Sequence, residues 1–305
     1  MIIRVATRKS ALAVWQAEHV AEILRKMPGV SKVELLLLST RGDEILDKSL
    51  QLIGGKGLFI KELEVAMADG RADIAVHSMK DVPAVLPDGF CVAAVLERAN
   101  PFDALVSGKA NSLAELPGGA LIGSSSLRRQ SQLLALRPDL RIEPVRGNVN
   151  TRLQKLDDGD FDAILLACAG LERLGMGSRI SAQLDPDDML PASAQGVVGI
   201  ECRAERANLR ELLQQVEHGP TKLTTLAERA VTEHLQATCH SPLASYATID
   251  GESLTLRSLA ARPDGSSVIR EHITGSSNDA QTLGIALAER MLELGAADIL
   301  GVEAE

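Results

Sequence analysis

The feature that most limits how this chain can fold is an alternation of strand-like and helix-like patterns that runs to about residue 97, pauses, and begins again. Ile2 to Ala6 is an apolar run of strand length. Ser10 then stands where a helix cap belongs, ahead of Leu12, Trp15, His19, Ile23 and Met27 on one predicted helical face. Val33 to Leu38 predicts a second strand, Leu58 to Ala68 an amphipathic helix, Asp73 to His77 a third strand and Cys91 to Leu96 a fourth. Strands and helices in this alternation build a parallel or mixed sheet covered on both faces.

After the pause around Glu97 to Pro101, Leu121 to Gly123, Ile142 to Val145 and Asp162 to Ala167 predict strands. Ser126 to Leu136 and Asn148 to Leu156 predict helices, so a second α/β lobe follows. Leu190-Pro-Ala-Ser-Ala-Gln-Gly196 is a second crossing, after which Val197 to Cys202 returns a strand to the first lobe. Ligands of open α/β sheets lie beyond the carboxyl ends of the strands, so the expected site is the cleft between two hinged lobes. From Leu223 the register changes. A helix to Leu235 leads into the loop Ala237-Thr-Cys-His-Ser-Pro242, then into alternating runs at Tyr246 to Ile249, Leu254 to Ala260 and Val268 to Ile273. A last helix spans about Asp279 to Leu294. This predicts a small α+β domain with an antiparallel sheet. The expected division is 1–98 with 195–216, then 99–194, then 217–305.

Composition narrows the partner. A formal net charge of −9 and an aromatic content of 2% argue against nucleic acid, which needs basic surface and rings to stack on bases. Val33 to Leu38 and Ala163 to Ala169 fall far short of the roughly 18 residues of a membrane span, and the first residues lack a signal-peptide layout. A cytoplasmic protein with no membrane association is expected. Four cysteines without a Cys-x-x-Cys pair, and six scattered histidines, predict no metal site.

The polar clusters fall at strand ends. Thr7-Arg8-Lys9-Ser10, Ser124-Ser125-Ser126-Leu127-Arg128-Arg129 and Arg146-Gly147-Asn148 each stand between a strand and a helix start, with Arg152 one turn further on. Free backbone N–H groups favour an anion there, and arginine adds a two-pronged donor for carboxylate or phosphate. Any one cluster also fits plain capping and a solvated helix face; recurrence at three strand ends favours anion binding. Gly54-Gly55-Lys56-Gly57 lacks the spacing of a nucleotide loop. The third strand runs into His77-Ser78-Met79-Lys80-Asp81-Val82-Pro83, where Asp81 suits proton transfer or stabilisation of a cation, or simply forms a turn. Asp43, in Thr40-Arg41-Gly42-Asp43, has a similar setting. Cys91, Cys168 and Cys202 lie in apolar runs and are expected to be inert, whereas Cys239 sits in a polar loop where a thiol is reachable.

Together these segments resemble the porphobilinogen deaminase family, also called hydroxymethylbilane synthase. The resemblance runs through Ala6-Thr-Arg-Lys-Ser10, Thr40-Arg-Gly-Asp43, Gly54-Gly-Lys-Gly-Leu-Phe59 and Arg71-Ala-Asp-Ile-Ala-Val-His-Ser-Met-Lys-Asp-Val-Pro83. It continues at Gly123-Ser-Ser-Ser-Leu-Arg-Arg129, Arg146-Gly-Asn148, Leu190-Pro-Ala192, Gln195-Gly196 and the loop around Cys239. It implies two α/β lobes like those of type II periplasmic binding proteins plus a small α+β C-terminal domain. It also implies a transferase that deaminates four porphobilinogen molecules and joins them head to tail into linear hydroxymethylbilane, releasing ammonia. Growth is primed on one dipyrromethane cofactor per chain, fixed by a thioether to Cys239.

By the same resemblance Asp81 is the catalytic carboxylate, steadying the cation left when ammonia departs. Arg8, Ser10, Lys80, Ser126, Arg128, Arg129, Arg146, Arg152 and Arg173 bind the acetate and propionate arms of cofactor and substrate. Asp43, Lys56, Phe59 and Gln195 have secondary roles, with Lys56 and Phe59 on a loop over the cleft. A monomer that passes its product to the next tetrapyrrole enzyme is expected. Three positions depart from the family pattern: Ala237-Thr238 where Gly-Gly is common, Leu52 where a basic residue is common, and Ala194 for a common glycine. The competing reading is a non-catalytic binding module on the same two-lobed fold.

Overall fold

The computed structural model describes residues 1–40 and 60–302. The chain divides into two compact units, Met1–Arg98 with Val197–Lys222, and Ala99–Gly196 with Leu223–Glu305. The first strand, β1 (Ile2–Arg8), buries Ile3, Val5 and Ala6. Ser10 accepts a hydrogen bond from Ala13 N at 3.4 Å and starts α1 (Ala11–Arg25). The buried stripe of α1 is Ala13, Gln16, Ala17, Val20, Ala21 and Leu24. It is not the face of Leu12, Trp15 and His19 that the large side chains suggested: His19 is exposed and stacks on half-buried Trp15 at 5.1 Å. Small residues let the helix approach the sheet closely, and the bulky ones flank the contact.

Next come β2 (Lys32–Leu38), α2 (Lys61–Ala68), β3 (Ile74–Ser78) and β4 (Phe90–Val95). The second lobe opens with β5 (Asp103–Val106), a short buried strand that the periodicity did not announce. It continues through β6 (Leu121–Gly123), α3 (Leu127–Leu136), β7 (Arg141–Glu143), α4 (Val149–Asp157), β8 (Ala163–Ala167), α5 (Cys168–Arg173) and β9 (Ala182–Gln183). The chain then returns as β10 (Val198–Arg203), followed by α6 (Ala207–Gln214).

The first sheet has the order β2-β1-β3-β10-β4 and the second β7-β6-β8-β5-β9. In each, one strand runs antiparallel to its two neighbours: β10 against β3 and β4, β5 against β8 and β9. Each of those strands is the first after a crossing, so the two lobes share one topology with an exchanged strand, as expected of binding-protein-like α/β lobes. At the second crossing Gly196 adopts φ +88°, and a Cβ there would lie 2.5 Å from Ala99 O, so only glycine fits.

The remainder is α7 (Gly219–His234), an antiparallel sheet of β11 (Leu243–Asp250), β12 (Ser253–Ala261) and β13 (Val268–Ser276), and α8 (Ala280–Glu293). Its core joins Ala227 and Val231 of α7 and Leu287 and Met291 of α8 to Leu254 and Leu256 of the sheet.

Candidate active site

In the first unit β3 ends in a single 3₁₀ turn, Met79–Asp81, which Met79 anchors: its side chain is buried and its N–H donates to Val197 O at 3.0 Å. Gln16 of α1 donates to Ser78 Oγ at 2.8 Å and ties the turn to the helix. Asp81 is left exposed at the tip, beside half-buried Lys80. A recess of about 70 Å³ is lined by Arg8, Ser10, Gln16, His77, Ser78 and Asp81. The ends of β1 and β3 thus bring Arg8 and Ser10 to Asp81, although the Ser10 hydroxyl also serves as the α1 cap. Asp43, Lys56 and Phe59, like Leu52, lie outside the described residues.

In the second unit the end of β6 delivers Ser126 to the start of α3. Its backbone is extended and its hydroxyl makes no cap bond, so an oxygen and the first helical N–H groups remain available to an anion. Ser125 Oγ donates to Val145 O at 2.8 Å, joining this start to the loop after β7 that carries Arg146. Asn148 caps α4 by accepting from Thr151 N at 3.0 Å, and Arg152 Nε donates to Gly147 O at 2.9 Å. Arg146, Arg152 and Ser126 therefore belong to two helix starts stitched together. Arg173, at the end of α5, donates to Gly196 O at 2.8 Å; burial lowers its guanidinium from the ordinary value, against the opposing effect of Glu172.

Arg128 and Arg129 point inward. Asp103 of β5, fully buried, accepts from Arg128 Nη1 at 2.7 Å and from Arg129 Nη2 and Nε at 2.7 and 3.0 Å. Arg129 Nη1 is also used, on Leu165 O at 3.0 Å, so all three nitrogens of that side chain are engaged within the lobe. Arg128 Nη1 additionally donates to Leu190 O at 2.7 Å. Gln195 reaches the same carboxylate, donating to Asp103 Oδ1 at 3.0 Å and to Pro101 O at 2.7 Å. Burial alone would push Asp103 up, but the two guanidiniums more than reverse this and hold it well below the ordinary carboxylate range.

Cys239 is exposed, on a tight loop between α7 and β11. Thr238 N donates to Ser241 Oγ at 2.9 Å and His240 N to Thr238 Oγ1 at 3.2 Å, so side chains close the loop. Burial lowers the His240 pKa and the charge of Arg146 lowers it further, which puts Arg146 within Coulombic reach of the cysteine loop. An exposed thiol on a preset loop beside an arginine fits a thioether-linked group bearing carboxylates.

The fully buried acids Asp103 and Glu228 escaped the sequence reading. Asp103 opens β5, whose four residues are too few to show a period in the sequence. Glu228, fully buried on α7, accepts from Ala194 N and from Ala247 N at 2.7 Å. Its signal was present: an acid on the same helical stripe as Ala227 and Val231.

The fold is that of two α/β lobes of binding-protein type, and the chain's similarities name its kind. Residues 3–211 match the family described as porphobilinogen deaminase, dipyromethane cofactor binding domain, and residues 222–293 match porphobilinogen deaminase, C-terminal domain. A porphobilinogen deaminase of Chromobacterium violaceum is 52% identical over 298 residues, covering 98% of this chain and 96% of that one. Among solved structures, a methionine-binding protein, MetQ, is 15% identical over 72% of this chain and 92% of its own, with a TM-score of 0.46. A putative methionine-binding lipoprotein of Bacillus subtilis is 14% identical over 72% and 90%, with a TM-score of 0.45. This chain belongs to the porphobilinogen deaminase family, and it is a transferase of tetrapyrrole biosynthesis that uses a dipyrromethane cofactor.

Proposed function

We propose that the chain carries out its deamination and joining of four porphobilinogen units with Asp81 as the catalytic carboxylate and Cys239 as the cofactor tether. The observation that carries this is the exposed Cys239 thiol on a loop closed by Thr238 and Ser241, within Coulombic reach of Arg146. When bound, the dipyrromethane supplies the free pyrrole carbon from which the product grows. Arg146, Arg152 and Ser126 hold acetate and propionate arms in the second unit, with Arg128 and Arg173 contributing from its interior edge. Arg8 and Lys80 do the same beside Asp81.

A carboxylate facing the carbon that loses ammonia opposes the charge that develops there. Tethering keeps both reacting ends on one molecule, which raises their effective concentration. The division into three domains, 1–98 with 195–216, 99–194 and 217–305, belongs to the same reading, as do a monomeric state, a cytoplasmic location and transfer of the product to a following tetrapyrrole enzyme. No helix among the described residues is long and apolar enough to cross a membrane.

Two measurements test the assignment. Intact mass of the purified chain should exceed the sequence mass by one dipyrromethane, and Cys239→Ser should remove the increment; an increment that survives the substitution refutes the tether. Asp81→Ala should lower turnover by about 10² or more with the fold intact, and substantial remaining turnover removes Asp81 from the role.

A further inference from the structure

Behind the Asp81 turn, in the same unit, lies a cluster of ionisable groups that the assignment above does not use. His77 of β3 and Glu201 of β10 meet diagonally across the antiparallel pair, with Nε2 to Oε2 at 2.7 Å and side chains 8% and 0% exposed. The other oxygen, Glu201 Oε1, is buried with no hydrogen-bond partner among the described residues. Such an orphan calls for a proton or a water. Glu64 of α2 is close enough for charge coupling: burial raises its carboxyl, Glu201 raises it further, and His77 and Lys61 oppose this. Glu201 is thus buried against the imidazole, and half-buried Glu64 is coupled to both by charge.

The imidazole is not sealed in. His77 lines the recess with Asp81, Arg8 and Ser10. Its side chain is 8% exposed, and its Nδ1 makes no hydrogen bond to a described residue. Where Nε2 donates to Glu201 Oε2, Nδ1 is left as an acceptor. A base oriented by a carboxylate behind it is the arrangement of an acid–base relay.

The reaction releases a proton that such an acceptor can relay. Each addition forms one C–C bond, breaks the C–N bond to ammonia, and frees one proton from the attacking ring carbon. The electron pair of that C–H bond restores the aromatic ring, and the proton ends on the departing ammonia or in solvent. We propose that His77, held by Glu201, takes up this proton through the water that the recess admits and passes it on, acting as a positioning and proton-handling partner to Asp81. It rests on the Asp81 reading and extends it. The charged groups facing His77 are Glu201 from β10, Glu64 from α2, Arg8 from the end of β1 and Asp81 from the turn, with Lys61 acting on Glu64.

The test is His77→Gln in the cofactor-loaded chain, with loading checked by intact mass. The expected result is a fall in kcat of about tenfold or more with KM little changed, and loss of one limb of the kcat–pH profile. A loaded variant with parental kcat and an unchanged pH profile overturns the proposal. Should His77→Gln fail to fold or load, ring ¹⁵N spectra of the unsubstituted holoenzyme decide. A His77 Nδ1 that titrates with the midpoint of kcat supports the relay; a ring in one protonation state from about pH 5 to about pH 9 overturns it. The Asp81 reading fails separately, through turnover in Asp81→Ala, because every His77 measurement is made with Asp81 intact.

Discussion

Replacing Asp103 should cost this protein more than replacing any single surface charge. Its carboxylate is fully buried and accepts four hydrogen bonds, three from Arg128 and Arg129 at 2.7, 2.7 and 3.0 Å and one from Gln195 at 3.0 Å. Removing it strands two buried guanidiniums, a loss of about 3–5 kcal/mol. Asparagine keeps the shape but turns an N–H₂ toward a donor, so Asp103→Asn should approach the cost of Asp103→Ala. At about 2–4 °C per kcal/mol for a folding unit of this size, Tm should fall by roughly 10 °C.

The sign with pH follows from the depressed carboxyl. The contribution is fully present above the unfolded value near pH ~4 and is lost as pH falls below it, by up to about 1.4 kcal/mol per pH unit. The gap between parent and Asp103→Asn in denaturant stability should therefore be constant from neutral pH to about pH 4 and narrow below it. A gap under about 1 kcal/mol at neutral pH, or one that does not narrow in acid, refutes the argument.

Three further outcomes follow from local geometry. Ala194 sits at φ +55°, where a β-carbon costs about 1–2 kcal/mol and glycine's added unfolded-state entropy costs about 0.5–1, so Ala194→Gly should raise the denaturant midpoint slightly; a fall would mean that the conformation is unstrained. Asp73, nearly buried, takes Arg4 N at 2.9 Å and Arg4 Nε at 3.0 Å, but Arg4 is 41% exposed and screened, so Asp73→Asn should lose only about 1 kcal/mol. The Arg4 contacts outweigh the upward push of burial and depress the Asp73 pKa, so this loss too should shrink below about pH 4 in acid titrations of stability. Thr238→Gly removes the hydroxyl that accepts from His240 N, so that amide should exchange about tenfold faster with solvent; an unchanged rate would show that the loop is held otherwise.

Long apolar runs made most of the fold legible: β6 is Leu121–Gly123 as expected, and β1, β3, β8 and the three strands of the last sheet differ only at their ends. The misses have physical reasons. β5 has four residues after a proline-containing pause, too few to show a period. The face of α1 was misjudged because Leu12 and Trp15 outweigh alanines in any pattern of hydrophobicity, whereas a helix laid on a sheet favours the small side chains that let it come close. At the site, helix starts and their arginines could be read because capping is local. That Arg128 and Arg129 turn inward could not be read, since their partner Asp103 is about 25 residues away and arrives through β5.

The two kinds of arginine at the site follow from this difference in range. Arg152 is positioned locally, by the carbonyl of Gly147 just before the start of α4, where free N–H groups favour an anion. Arg129 has every nitrogen committed to Asp103 and Leu165, and a ligand carboxylate could recruit it only by displacing a buried anion. Arg128 is less committed: it binds Asp103 and Leu190 through Nη1 alone. Of the adjacent pair, Arg129 is therefore the more fully committed within the lobe. Arg129 fixes Asp103, and Asp103 in turn fixes both Arg128 and the crossing residue Gln195.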